Sequence, residues 1–174
     1  METGKDMLVL GDEMAQGIRE HGATGYPHEA CGAILGLEAG AAREVRALFP
    51  LVNRRDDSPR NRFAVDAGDV RAAERAAAER GLELIGWYHS HPDHPAQPSE
   101  YDREYAWPWY SYVIVSVAAG QPREITSWRL ADDRSRFLAE PIAANGESAA
   151  CPESAAADRR AADPATRIGA PGTK

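Results

Sequence analysis

The sequence has few cysteines, no long apolar run and no excess of positive charge. Its 174 residues include only two cysteines, one (Cys31) in a predicted strand and one (Cys151) near the end of the chain, so we expect no structural disulfide. The first apolar run, Met7 to Leu10, is too short for the core of a signal peptide, and no run approaches the roughly 18 apolar residues of a membrane-spanning helix. A net charge of −7 argues against nucleic acid and anionic membranes as partners. These absences favour a soluble, cytoplasmic protein.

The patterns that are present predict a mixed α/β fold. Apolar residues make up 43% and charged residues 27% of the chain, which is ordinary for a globular domain. About six strands are expected, at Met7–Leu10 (an edge strand), Ala30–Leu37, Glu44–Val52, Leu82–His91, Tyr112–Val117 (the central strand) and Glu124–Leu130, with a short last pairing at Phe137–Leu138. Helices are expected from Glu13 to His21 with Gly22 as the stop, from Asp66 to Gly81, and after Ser99.

Two segments resemble loops or tails. Residues 53–62 are charged and contain Pro59, which predicts a loop. From Ala143 the chain is rich in alanine and polar residues, and only Ile168 is a large aliphatic residue. Such a segment buries too little apolar surface to offset its ordering entropy, so residues 143–174 are predicted to be disordered.

The chemistry of the chain is concentrated in the run GWYHSHP at positions 86–92. On a strand, His89 and His91 project from the same face, because side chains alternate with a period of two. Two adjacent imidazoles can chelate zinc, and a third protein ligand would leave one position for water. Asp102 is the best-placed candidate, because the loop that follows turns back and Ser99-x-x-Asp102 begins a helix. Each part also has an ordinary interpretation: His-x-His alone is a weak motif, and Ser99 with Asp102 is typical of a capping box.

The complete spacing is far more specific than its parts. His89-x-His91, then seven residues, then Ser99-x-x-Asp102 resembles the motif of the JAMM/MPN family of zinc metallopeptidases, which also has a glutamate farther upstream. The resemblance extends over about residues 7–138. It implies a curved mixed sheet between helices, with one zinc ion at the exposed edge of the sheet. Residues 1–142 would then form a single metallopeptidase domain.

The resemblance also assigns roles to the residues. It implies that His89, His91 and Asp102 bind the zinc, and that Glu29, in the segment YPHEACG, is the general acid/base. Without the resemblance, Glu29 is a glutamate at the start of an apolar strand, which more often faces solvent. Ser99 would stabilise the oxyanion of the tetrahedral intermediate.

The substrate is also inferred from the resemblance. Compact bacterial members share both segments, and some release a C-terminal amino acid such as cysteine from a ubiquitin-like sulfur-carrier protein after its Gly-Gly. We expect the same substrate here, with the oligomeric state open and a homodimer as one option. Three alternatives remain: an isopeptidase acting on ubiquitin-like conjugates, a zinc-binding scaffold without turnover, and the RadC-like branch. Ser90 between the histidines and the lack of a basic segment count against the last.

Other candidate sites are weaker. His28 and Glu29 do not begin a His-Glu-x-x-His motif, because position 32 is a glycine. His94 is expected to be a solvated loop histidine, and Cys31 a small buried residue. A zinc deaminase would need a Cys-x-x-Cys pair, which the sequence lacks.

Overall fold

The computed structural model describes residues 7–53 and 65–144. Within these ranges, eight strands and three helices follow one another in this order: β1 (Met7–Val9), α1 (Asp12–Gly25), β2 (Cys31–Ala39), β3 (Ala42–Leu51), α2 (Ala67–Ala78), β4 (Glu83–Pro92), α3 (Glu100–Tyr105), β5 (Ser111–Ala118), β6 (Gln121–Leu130), β7 (Phe137–Glu140) and β8 (Ile142–Ala143). The predicted mixed α/β class is confirmed. No helix in the described ranges is long and apolar enough to span a membrane.

All eight strands form one sheet in the order β7-β6-β5-β4-β2-β3-β1-β8. The pairs β4–β5, β1–β3 and β1–β8 are parallel, and the other neighbours are antiparallel. The two edge strands, β7 and β8, are separated along the chain only by Pro141. The sheet therefore curves until its two edges are formed by adjacent segments, which agrees with the curved sheet expected above.

The expectation that residues 7–10 form an edge strand was wrong. β1 lies between β3 and β8, and Leu8 is fully buried. The N–H groups of Leu8 and Leu10 donate to the carbonyls of Pro141 and Ala143, each at 2.9 Å. Strand β8 thus extends the sheet into Ala143, the first residue of the expected tail. Residues 145–174, on which the rest of that prediction falls, lie outside the described residues, as does most of the expected loop at 53–62.

Helix α1 extends beyond its expected stop. Gly22 lies within it and is buried, and the helix continues to Gly25. A Cβ atom at Gly22 would lie 3.2 Å from side-chain atoms of Ser90, Val115 and Val117. The glycine therefore permits close packing of α1 on the sheet instead of ending the helix.

The other two helices begin as the sequence predicts. Asp66 caps α2, where its carboxylate accepts the N–H groups of Gly68 and Asp69, and Ser99 caps α3. Gly81 follows α2 with φ of +66°, a conformation that glycine adopts without strain.

The two faces of the sheet carry separate cores. The α1 face, which packs against α1, is mostly aliphatic and comprises Leu8, Leu10, Ala15, Ile18, Ile34, Val45, Ile85, Tyr88, Val113, Val115 and Val117. The α2 face, which packs against α2, has more alanine and aromatic residues and comprises Ala33, Leu35, Ala73, Ala76, Ala77, Trp87, Ala106, Tyr112 and Leu130. Strand β4 supplies side chains to both faces, with Ile85 and Tyr88 on the α1 face and Trp87 on the α2 face.

Candidate metal centre

Strand β4 places the two histidines side by side. His89 and His91 follow Trp87 at intervals of two, so all three project from the α2 face. β4 is held on both sides, since His89 pairs with Cys31 of β2 and with Ile114 of β5. The histidines are buried, with His89 only 1% exposed. The expected position at an exposed edge was therefore wrong: the pair lies at the end of a central strand.

Helix α3 brings Asp102 to the histidines. The Ser99 hydroxyl accepts the Asp102 N–H at 3.1 Å, and the Asp102 carboxylate accepts the Ser99 N–H at 2.7 Å and its hydroxyl at 2.8 Å. This reciprocal capping box sets the start of the helix and the direction of the carboxylate. The Asp102 side chain is only 7% exposed, although Ser99 itself is exposed.

The three side chains converge on one point. The Nε2 atoms of His89 and His91 are 3.0 Å apart, and they lie 3.3 and 3.6 Å from the two Asp102 carboxylate oxygens, respectively. One possible ligand atom from each residue lies within 4.8 Å of the others. Two imidazole nitrogens and one carboxylate oxygen at this spacing match the three-ligand set of a catalytic zinc site. The residues present thus fit a zinc ion.

A backbone carbonyl orients one ligand. His91 Nδ1 lies 2.8 Å from the Pro95 carbonyl oxygen, which can only accept, so Nδ1 carries the proton of this bond. When the ring is neutral, Nε2 therefore carries the lone pair that faces the cluster. Metal-binding histidines commonly donate their other N–H in this way, which sets the tautomer of the ring.

The protonation states also suit metal binding. Burial lowers the pKa of His89, although Asp102 acts in the opposite direction. Burial would raise the pKa of Asp102, but its contacts with His89, His91 and the Ser99 N–H outweigh burial and hold that pKa well below its usual range. At neutral pH the cluster therefore offers a neutral imidazole at His89 and an ionised carboxylate, the forms that bind metal.

Glu29 lies beside this cluster without belonging to it. The antiparallel pairing of Cys31 with His89 continues one residue further, because the Ser90 N–H donates to the Ala30 carbonyl at 2.9 Å and Ser90 Oγ accepts the Ala30 N–H at 2.8 Å. This register places Glu29 opposite His91, on the same face. Glu29 is 5% exposed, so the common expectation of a solvent-facing glutamate does not hold.

Sequence reasoning missed two contributors to this geometry, Ser90 and the Pro95 carbonyl. Ser90 is 1% exposed and ties the Glu29 segment to the histidine strand. A serine between two histidines gives no signal of such a contact with a residue 60 positions away. The carbonyl of Pro95 could not be found from side-chain identity at all.

The remaining candidates do not join the cluster. His94 is exposed and is not among the clustered residues. Cys31 is fully buried, and burial together with the charges of Asp69 and Glu29 raises the pKa of its thiol to about 12. Its thiol is therefore protonated and unreactive at neutral pH, which agrees with the expected structural role.

A cleft of about 730 Å³ opens beside Asp102. Its walls come mainly from α3 and the segment that follows it. Of the three clustered residues, Asp102 lines this cleft, which also includes Trp87 of the α2 face.

The chain is similar to known proteins over most of the described part. A family described as "Prokaryotic homologs of the JAB domain" matches residues 12–131. Desampylase of Haloferax volcanii is 36% identical over 106 residues, which cover 60% of this chain and 74% of that protein. CysO-cysteine peptidase of Mycobacterium tuberculosis is 31% identical over 127 residues, which cover 72% of this chain and 84% of that protein.

A third relative and a solved structure extend this similarity. A protein of Thermus thermophilus named "Probable TtuB-protein conjugate cleaving protease" is 40% identical over 80 residues, which cover 46% of this chain and 53% of that protein. The solution structure of a Salinibacter ruber protein superposes with a TM-score of 0.64 at 43% identity, covering 81% of this chain and 92% of the other.

Proposed function

Since the chain belongs to the family of prokaryotic homologs of the JAB domain and is a hydrolase, we propose that it is a zinc-dependent peptidase acting on a ubiquitin-like sulfur-carrier protein. The bond hydrolysed follows the C-terminal Gly-Gly of the carrier, and the product is a C-terminal amino acid such as cysteine. The observation that carries the proposal is the convergence of His89, His91 and Asp102. The activity would serve cysteine biosynthesis in the cytoplasm.

In this proposal the cluster holds a single zinc ion. Zinc bound by His89, His91 and Asp102 would supply a Lewis acid and lower the pKa of a coordinated water toward neutrality. The capping box and the Pro95 carbonyl hold the ligands in place before any metal binds.

Glu29 is the proposed general acid/base. Its carboxylate would accept the proton of the attacking water and deliver it to the nitrogen of the leaving amine as the C–N bond breaks. Its position opposite His91, outside the ligand cluster, supports this role over that of a fourth ligand.

Ser99 has a second proposed role beside capping. Its hydroxyl would donate to the carbonyl oxygen of the substrate as that oxygen becomes negatively charged. To do so, the hydroxyl hydrogen must turn away from the Asp102 carboxylate, to which it now donates at 2.8 Å. The Asp102 carboxylate keeps the Ser99 N–H bond during this change.

The test is the intact mass of a ubiquitin-like carrier that bears one extra residue after Gly-Gly. It is incubated with the zinc-loaded protein and, separately, with zinc-loaded Glu29→Gln. Loss of the single residue with the wild type alone supports the proposal. An unchanged mass with a zinc-occupied wild type contradicts the proposed substrate.

A second candidate is cleavage of an isopeptide bond between a ubiquitin-like protein and a lysine of a target. The observation that favours it is the relative named as a conjugate cleaving protease. The same mass assay with a lysine-linked conjugate separates the two candidates.

A further inference from the structure

The cleft beside the metal centre has an unusual lining. Three tryptophans and four tyrosines contribute to its walls, together with Asp102, one of the candidate metal ligands. Because Asp102 belongs to both, the cleft adjoins the candidate metal site.

Part of this aromatic wall is exposed in the described structure. Trp107 and Trp109 are 52% and 56% exposed, and their rings stack with centroids 5.2 Å apart. Single exposed aromatic residues are common, but an exposed stacked pair at the edge of a cleft is typical of a binding surface.

The cleft contains one cation, Arg134, among its described lining residues. The guanidinium lies over the Trp107 ring, with its carbon 5.2 Å from the ring centroid, and it donates one bond to the Glu104 carbonyl at 3.1 Å. The backbone is held as well, because Arg103 donates to the Arg134 carbonyl at 3.1 Å. The side chain is therefore oriented before any ligand binds.

The charge of Arg134 is not neutralised by an ion pair within the described residues. A guanidinium has five N–H donors in a planar fork that matches a carboxylate, and only one of them is used for Glu104. The other charged groups in the lining are two carboxylates, of Asp102 and Glu104. A bound zinc ion would offset the first.

Arg134, Asp102 and Tyr112 line the same cleft. The Tyr112 hydroxyl accepts the Trp107 N–H at 2.7 Å. Burial raises the pKa of Tyr112, while the charge of Arg134 acts to lower it and that of Asp102 to raise it. Both charges thus act on the same hydroxyl within the cleft.

We propose that this cleft binds the residue released from the C-terminus of the substrate, with its free α-carboxylate on Arg134 and its side chain between the aromatic walls. The inference rests on the proposed peptidase function and adds a residue that determines specificity. The Gly-Gly segment on the other side of the scissile bond has no side chain for an aromatic wall to contact. The residue after Gly-Gly has both a side chain and a carboxylate.

The proposal also separates the two candidate functions. In an isopeptide conjugate the leaving group is a lysine side-chain amine, which carries no carboxylate close to the scissile bond. Arg134 would therefore favour release of a C-terminal residue over cleavage of a conjugate.

The test measures binding of a short peptide ending in Gly-Gly-Leu, as the free acid and as the C-terminal amide. Calorimetry and tryptophan fluorescence report binding to the metal-free full chain, in which a carboxylate cannot bind the ion itself. Leucine is used because a cysteine thiol would add chemistry of its own. We expect the acid to bind about tenfold more tightly than the amide, the usual order for a charge-assisted hydrogen bond.

Two variants decide whether Arg134 is responsible. Arg134→Met keeps the length and packing of the stem and should abolish the preference for the acid. Arg136→Met is the matched control: Arg136 is exposed and does not line the cleft, so the preference should persist. Equal binding of acid and amide by the wild type would overturn the proposal. So would an Arg134→Met variant that weakens both ligands equally, since that result indicates only a structural role.

Cleavage by the zinc-loaded enzyme is measured in parallel, so the two proposals can fail separately. A carrier that is cleaved equally well as acid and amide overturns the role of Arg134 and leaves the peptidase function standing. If the carrier is not cleaved but the acid peptide still binds more tightly in an Arg134-dependent way, the proposed substrate is overturned. The proposed role of the cleft in binding a C-terminal residue is then supported.

Discussion

The two faces of the sheet are formed by the same strands but differ in what their side chains do. On β4, Tyr88 and Ser90 project toward α1, where Tyr88 joins a closely packed aliphatic core. His89 and His91 project toward the opposite face, beside an aromatic cleft and a short helix that supplies Asp102. The α1 face thus packs the strand into an apolar core, whereas the α2 face carries the polar side chains of the cluster. This comparison predicts that variants of the two faces will affect different properties.

The largest effect is expected from Glu29→Gln. If Glu29 moves the proton, turnover should fall by about 10²–10⁴-fold, the usual contribution of a general acid/base. Zinc content and unfolding temperature should match the wild type, because the amide has the same shape and Glu29 is outside the ligand cluster. Steady-state kinetics and metal analysis check this. Glu38→Gln, at an exposed position on β2, is the control, and a Glu29→Gln variant as active as this control would remove Glu29 from the mechanism.

A variant of the α1 face should show the reverse behaviour. Ile18 is fully buried on α1, and Ile18→Ala should cost about 2–5 kcal/mol of unfolding free energy through lost burial and a cavity. The folded fraction should keep normal turnover. Urea unfolding measures the first quantity and active-site titration the second, with the exposed Glu13→Ala as the reference. A selective loss of turnover in the folded Ile18→Ala protein would contradict the separation of the two faces.

Ser99→Ala tests whether the α3 cap also takes part in chemistry. The loss of a cap alone costs about 1 kcal/mol, whereas the loss of an oxyanion donor lowers turnover by about 10²–10³-fold. Asp66→Ala offers a matched comparison, because Asp66 forms the same kind of capping box on α2 and does not belong to the metal cluster. Similar stability losses, with a fall in turnover for Ser99→Ala alone, would assign both roles to Ser99. Unchanged turnover would leave it as a cap.

The smallest effect concerns pH. The pKa values of His89 and Asp102 are both lowered in the folded protein, by burial for His89 and by its ring and N–H contacts for Asp102. The unfolded chain therefore binds more protons, and the metal-free protein should lose stability as pH falls, first below about 6.5 and further below about 4. Acid unfolding followed by circular dichroism measures this. Asp102→Asn should lose less stability than the wild type as the pH falls below about 4. Identical stability profiles would mean that the pKa of Asp102 is not lowered in the folded protein.

The parts of the site that sequence could predict are those fixed by short spacing. His89 and His91 are two residues apart on one strand, so local periodicity predicted their shared face. The capping box with Ser99 made Asp102 a candidate third ligand, which the family resemblance then supported. The position of Glu29 depends on the register between β2 and β4, which are separated by more than 40 residues, and only the family resemblance identified it. No local sequence pattern predicts the position of Arg134, because its place in the cleft depends on contacts with α3 and the segment that follows it.

The fold shows the same limit. The starts of α2 and α3 followed from capping residues, which act over three positions. The end of α1 was predicted wrongly because Gly22 serves a contact with Ser90 and β5 rather than a stop. Strand β8 has only two residues and no sequence pattern of its own, and it is a strand because its backbone pairs with that of β1.

The most direct test of the account is the zinc content of three proteins prepared in parallel: the wild type, Asp102→Ala and His94→Ala. His94 is an exposed histidine of the same loop region that does not belong to the cluster, so its variant controls for nonspecific binding. We expect one zinc per chain in the wild type and in His94→Ala, and loss of zinc from Asp102→Ala. Full zinc occupancy in Asp102→Ala would contradict the proposed ligand set.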